Sequence, residues 1–237
     1  MTRLADDLRL KDLARSGELK PTVILIGATI LLAAHRHFGA PMFWGVHAPF
    51  SGGIADPLVM FLSAFVLLGL IPLAIVIWGF HEKAREYGLR LGDWRLGLRI
   101  TAILFPLICI LLLLPAAGNQ EMRLFYPMAP AFTGSASGFA MLEIPRILLF
   151  YTAWEFFFRG FLLFGLRPII GDWMAICVQV VPSTLWHIGL PSSELFAAIA
   201  GGLLFGVMAL RTRSIIWPFL LHALIGIGLD LIIILSR

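Results

Sequence analysis

The densest chemistry in this 237-residue chain is the run Trp154-Glu155-Phe156-Phe157-Phe158-Arg159-Gly160. Glu155 and Arg159 stand four residues apart, so on a helix they share one face, a turn from each other. Two histidines follow in separate apolar segments, His187 and His222. A glutamate balanced between an apolar pocket and an arginine can act as general base on water. Imidazole can hold that water or donate to the oxyanion of a tetrahedral intermediate. Together the four side chains are able to hydrolyse an amide. Glu155, His187 and His222 are equally a ligand set for a hydrolytic zinc ion, although the H-E-x-x-H spacing is missing. No G-x-S-x-G is present, and Cys109 and Cys177 lie in apolar runs as packing residues. Taken singly, a Glu–Arg pair is also a neutralising ion pair, and a lone His a hydrogen-bonded core residue.

The elements that must position these groups are membrane helices. Hydrophobic residues make up 59% of the chain and charged ones 14%, against roughly 25% charged in an average soluble protein. With a mean hydropathy of +0.92, the chain reads as an all-α integral membrane protein. Apolar segments at 21–34, 57–80, 100–120, 143–166, 172–190, 194–210 and 214–235 predict a bundle of about seven transmembrane helices. Residues 124–142 carry Pro127, Pro130, Gly134 and Gly138 and read mostly as loop, with an eighth crossing at 121–142 as the alternative. Arg36 and its flanking histidines snorkel at the end of the first span.

Ionisable residues interrupt only the later segments: Glu143, Arg146, Glu155, Arg159, His187, His222 and Asp230. Each Arg or Asp costs about 2.5–3.5 kcal/mol at a helix centre, so such residues mark function or obligatory pairing. At 1.5 Å per residue, Glu155, His187 and His222 lie about 18, 22 and 13 Å from the ends of their segments, near a common depth. Asp230 comes out about 25 Å up, as an interfacial carboxylate.

Lys and Arg number five in residues 1–20 and five in 81–99, but one each in 35–56 and 117–142. The positive-inside rule then puts the N-terminus in the cytoplasm, in a prokaryotic cytoplasmic membrane by size. Residues 1–20 form a cytoplasmic segment, 21–120 the N-terminal transmembrane helices and 121–237 the domain that carries the chemistry. The pI near 9.5 does not signal a nucleic-acid partner, because the basic residues are split between apolar runs. Membrane lipid is the expected surround. Gly201, Gly202 and Gly206 suit close helix packing within the bundle or a dimer contact, and oligomeric state stays open. The three phenylalanines after Glu155 read as helix packing. A transporter is disfavoured by the lack of an inverted repeat.

Over residues 120–235 the chain resembles the CPBP membrane proteases, also called the ABI family. That family includes enzymes that trim prenylated CAAX proteins and bacterial proteins linked to bacteriocin maturation or self-immunity. The resemblance rests on Glu155-x-x-x-Arg159-Gly160 with Phe161-Leu162, on His187, and on Arg211-Thr212-Arg213-Ser214-Ile215 ahead of Pro218 and His222. It implies a helical bundle whose Glu and His residues face a cavity open to the cytoplasm, and a glutamate-activated water that cleaves a peptide, lipid-modified or not. It also implies Glu155, His187 and His222 as catalytic residues, with zinc entering only in older descriptions of the family. Three positions depart from its pattern. Trp154 stands where the family has its first glutamate, and indole cannot take a proton. Gly226 stands where an asparagine is frequent, and Ser183 where a phenylalanine is frequent. Two readings follow: an intramembrane peptidase in which Glu155 has taken over, or an inactive relative acting as a membrane binding, immunity or regulatory protein.

Overall fold

A computed structural model describes residues 17–40 and 53–236, together with Asp12. Most of the expected cytoplasmic segment 1–20 therefore lies outside the described residues. The chain runs through helices α1 (Leu19–Gly39), α2 (Ala55–Gly79), α3 (Trp94–Gly118), the short α4 (Gln120–Phe125), α5 (Ala136–Ile170), α6 (Asp172–Trp186), α7 (Ser192–Thr212) and α8 (Ile216–Leu235). Among the described residues six of these are long and apolar enough to cross a membrane. The 15-residue α6 is only about 22 Å long, short of a roughly 30 Å hydrocarbon core. With α6 counted, the all-α bundle has the size that hydropathy predicts.

Local chemistry sets the boundaries. The Asp93 carboxylate accepts from the Leu96 N–H at 3.0 Å at the start of α3, and the Asn119 side chain caps α4. Ser135 Oγ accepts from the Gly138 N–H at 3.1 Å, so α5 starts at Ala136 and the last seven residues of the 124–142 stretch are helical. Ser135 is what the proline and glycine pattern hides: an N-cap that starts a helix inside an apparent loop. No second crossing forms there, since α4 has six residues. Gly171, at φ +82°, lets the chain reverse between α5 and α6.

Helix α5 is the axis of the fold. Its most apolar stretch is 78% buried, against 17–39% for the other five long helices, and it packs on α1, α2, α6, α7 and α8. Phe156 to Phe164 are buried on every side, as suits a helix apolar all round, and the three phenylalanines serve as packing. The helix is underwound, with i→i+5 bonding over Arg146–Tyr151 and Phe156–Phe164 on either side of the turn Thr152–Glu155. Such wide turns concentrate at functional sites because they rotate the side chains that follow.

Two ends of the bundle differ in charge. At one, the turn between α7 and α8 locks onto residues 88–93. The Asp93 N–H donates to the Thr212 carbonyl at 2.8 Å, Arg90 Nε donates to the Arg213 carbonyl at 2.8 Å, and Trp217 Nε1 donates to the Leu91 carbonyl at 2.9 Å. Arg213 sits at φ +55° as the reversal point. The basic run 211–215 is thus the hinge of a tight turn. Nearby, Lys20 Nζ donates to both Glu82 oxygens at 2.7 Å, and the Tyr87 hydroxyl donates to the same carboxylate. Burial works to raise the Glu82 pKa, but these bonds and the Lys20 charge bring it below the ordinary carboxylate value. The other end holds the 126–135 loop and the turn from α6 to α7. There Arg123 donates to Ser236 and to the Ala117 carbonyl.

Gly202 and Gly206 bring α7 against Val180, Gln179 and Ile176 of α6, and Gln179 Nε2 donates to the Gly202 carbonyl at 2.8 Å. This glycine face is filled inside the bundle. Asp230 is covered within the bundle: it has no exposed surface and accepts from Arg146 Nη1 at 2.8 Å. Counting residues measures depth along one helix and cannot see that α5 covers this face of α8.

Candidate functional site

Glu155 comes from the middle of α5 and His222 from the second turn of α8. The two meet at 2.7 Å, His222 Nδ1 against Glu155 Oε1. A carboxylate can only accept, so Nδ1 carries the donated proton and Nε2 is the free nitrogen. Arg159 Nη1 donates to the same Oε1 at 3.3 Å, which joins Arg159 to the pair. Its guanidinium also lies over the Phe205 ring, 5.2 Å from the centroid. Glu155 has no exposed surface, and its Oε2 has no hydrogen-bond partner among the described residues. His222, by contrast, keeps 23% of its side chain accessible. Glu155 thus stands behind His222, in the position of a group that orients an imidazole.

The accessible face of His222 belongs to a cavity of about 50 Å³. Arg146, Tyr151, Trp154, His187 and Glu194 line it as well. That volume has room for a few water molecules, at roughly 10–15 Å³ each on the same measure. The cavity sits beneath Tyr126 and Met128 of the long loop and beside the turn His187–Leu190. It is therefore at the end of the bundle away from the basic turns.

His187 lies just past the end of α6. Its Nδ1 donates to the Ser183 carbonyl at 2.7 Å, so position 183 serves through its backbone, and Nε2 is left as an acceptor. Arg36 of α1 donates to the carbonyls of Trp186 and Ile188, on either side of His187, and lies over the Trp186 ring. What reads as a snorkelling end residue pins the turn that carries a cavity histidine. Trp154, 2% exposed, turns its ring edge-on to His187 with centroids 5.8 Å apart and stacks on Phe150. Position 154 is thus aromatic wall.

Gly226 is filled from across the helix interface. A Cβ built there would overlap the Tyr151 hydroxyl oxygen and lie 3.3 Å from Arg146 Nη2. Tyr151 packs on His222, with ring centroids 4.6 Å apart. Its hydroxyl thus reaches the space that a side chain at 226 would fill, a donor invisible in sequence because Tyr151 belongs to a different helix.

Glu194 is the residue that sequence reasoning missed. It lies in the first turn of α7, where a carboxylate reads as an ordinary helix-start residue. The fold turns it inward: both its oxygens accept from the Tyr126 hydroxyl at 2.9 Å, and Oε1 faces His187 Nε2 at 3.9 Å. Only a constellation spanning three segments reveals it.

The three candidate zinc ligands are not gathered into one set. His222 is committed to Glu155, His187 faces Glu194, and among the described residues no group of three or more His, Cys, Asp or Glu side chains is placed to hold a metal ion.

Fold and site together define a class: a polytopic helical membrane protein with a glutamate–histidine pair on the wall of an internal cavity. Residues 138–227 match the family model described as Type II CAAX prenyl endopeptidase Rce1-like. The matched stretch takes in Trp154, Glu155, Arg159, His187, Glu194, His222 and Gly226, and spans a little over a third of the chain. No curated protein and no solved structure matches the chain.

Proposed function

We propose that this chain is an intramembrane endopeptidase of the CAAX-protease-like (CPBP) family, hydrolysing a peptide bond with water activated by histidine and glutamate side chains. The carrying observation is the 2.7 Å Glu155–His222 contact on the cavity wall. A buried carboxylate behind an imidazole fixes its tautomer and stabilises its protonated form. When protonated, His222 donates Nε2–H to the oxyanion, and the Tyr151 hydroxyl donates beside it. His187, whose Nε2 is an acceptor, holds the attacking water. Arg159 orients Glu155 through its hydrogen bond to Oε1, and Trp154 supports His187. Residues 121–237 would form the catalytic domain and 21–120 its anchoring helices.

Cleavage of quenched fluorescent peptides, farnesylated and plain, by purified protein tests this reading. Wild type should cleave with or without chelator, and Glu155→Gln and His222→Ala should each lower kcat by about 10³-fold. An unchanged rate in either variant would sink that residue's assignment; loss of wild-type cleavage with chelator would revive the metal site.

A second reading is favoured by one observation: the cavity has room for a few waters but is far smaller than a peptide. On this reading the chain is a binding, immunity or regulatory protein on a protease fold, and Glu155→Gln leaves its biological activity intact.

The charge distribution supports a cytoplasmic N-terminus. With the basic turns on the inside, the cavity end faces away from the cytoplasm, opposite to the orientation implied by the family resemblance. A cysteine at Ser192, in a background lacking Cys109 and Cys177, should react with a membrane-impermeant maleimide on intact cells. Labelling only after permeabilisation would reverse the orientation.

A further inference from the structure

We infer that Glu194 is the second catalytic carboxylate of this site, supplied by α7 in place of the glutamate that position 154 lacks: with His187 it holds the attacking water and takes its proton. The inference rests on the peptidase reading and deepens it.

His187 Nε2 is an acceptor because Nδ1 is spent on the Ser183 carbonyl. The Glu194 oxygens are acceptors, and their donor is the Tyr126 hydroxyl. Burial, with the Glu194 charge beside it, pushes the Tyr126 phenol well above its ordinary pKa, so it remains a donor. Two acceptors 3.9 Å apart cannot bond to each other. A water about 2.8 Å from both donates one proton to each, and its lone pairs then point away from the two. Both side chains line the cavity, with 13% and 23% of their surfaces accessible.

The same cavity is lined by complementary groups, Tyr151 with its hydroxyl and the Glu155-backed His222. The donors for an oxyanion and the acceptors for a nucleophile thus lie on different helices around one small space. In the reaction, the water O–H bond breaks and its proton passes to the Glu194–His187 pair as oxygen bonds to the carbonyl carbon. The C–N bond then breaks, and the leaving amine takes that same proton, so the pair ends as it began. Trp154 is compatible with this scheme because the proton acceptor comes from another helix.

The test uses full-length protein in detergent with the peptide panel above, comparing wild type, Glu194→Gln, Glu194→Ala, His187→Ala and the Glu194→Gln/His187→Ala double variant. Glu194→Gln keeps the size and the Tyr126 bond but cannot take a proton. Its kcat should fall by about 10²-fold or more with KM within about threefold. The double variant should be no slower than the slower single one, since both act on one water. Glu194→Ala should regain at least about tenfold in millimolar formate, which a purely structural role would not produce. Glu194→Gln within about threefold of wild type, beside an inactive Glu155→Gln, would overturn the inference and leave the peptidase reading standing. Formate-insensitive loss in a Glu194→Ala protein that melts like wild type would also overturn it. No cleavage by wild type on any peptide removes both.

Discussion

Helix α5 carries two buried acid–arginine pairs, and each finds its third partner on α8. Near its start, Arg146 Nη1 donates to Glu143 at 3.2 Å and to Asp230 of α8 at 2.8 Å. Three turns on, Arg159 and His222 of α8 both converge on Glu155 Oε1. Each cluster pairs a glutamate with an arginine about one turn on, three residues apart in the first and four in the second, and both satisfy charges that could not otherwise enter the bundle. They differ in the third partner. Asp230 is wholly buried and adds a second acceptor for one arginine, which closes the acid side of the cluster and leaves only Arg146 on the cavity wall. His222 is partly accessible, brings a nitrogen that both takes and gives a proton, and opens the cluster onto a cavity. What α8 presents to each buried charge therefore sets the two clusters apart.

Removing charge from each cluster should break them in different ways. The largest effect on rate is expected at the open one, where Glu155→Gln and His222→Ala should each lose about 10³-fold in kcat; His222→Ala keeps the Glu155–Arg159 pair and should melt close to wild type, whereas Glu155→Gln also leaves Arg159 buried without its anion. At the closed one, Arg146→Met leaves Glu143 and Asp230 buried without their cation, which should cost about 3–5 kcal/mol of stability. Unfolding in mixed micelles with increasing SDS measures that difference. If Arg146→Met melts like wild type and only kcat falls, the closed cluster is part of the chemistry and the contrast fails.

How much of this was legible in the sequence follows from how local each signal is. Glu155 with Arg159, and Glu143 with Arg146, are one turn apart on one helix, so their pairing can be read directly. The common depth of Glu155 and His222 could also be counted, and the two do touch. His187 sits on the same cavity but 3.9 Å from Glu194, a partner no spacing rule reaches. For Asp230, distance along α8 gives a depth but says nothing about which helix covers it. Arg36 offered a charge at a span end, and its use in holding the His187 turn depends on α1 packing near the end of α6. Contacts between helices far apart in sequence set the rest, and hydropathy alone carries no record of them.

Tyr151 stands between the two clusters and decides where the boundary falls. Arg146 of the closed cluster lies over its ring at 5.3 Å, while His222 of the open one packs against it at 4.6 Å. Its hydroxyl crosses to the space beside Gly226. If the ring matters, Tyr151 is part of the staple that holds α5 to α8; if the hydroxyl matters, it is an oxyanion donor. Tyr151→Phe separates these, because it keeps the ring and removes only the oxygen. Losing one such donor should lower kcat by about 10²-fold with KM little changed. Stability should stay within about 0.5 kcal/mol, since among the described residues the hydroxyl makes no hydrogen bond that would be lost. Full activity in Tyr151→Phe, with Tyr151→Leu melting early, would move the residue into the closed cluster and leave His222 as the sole donor at the site.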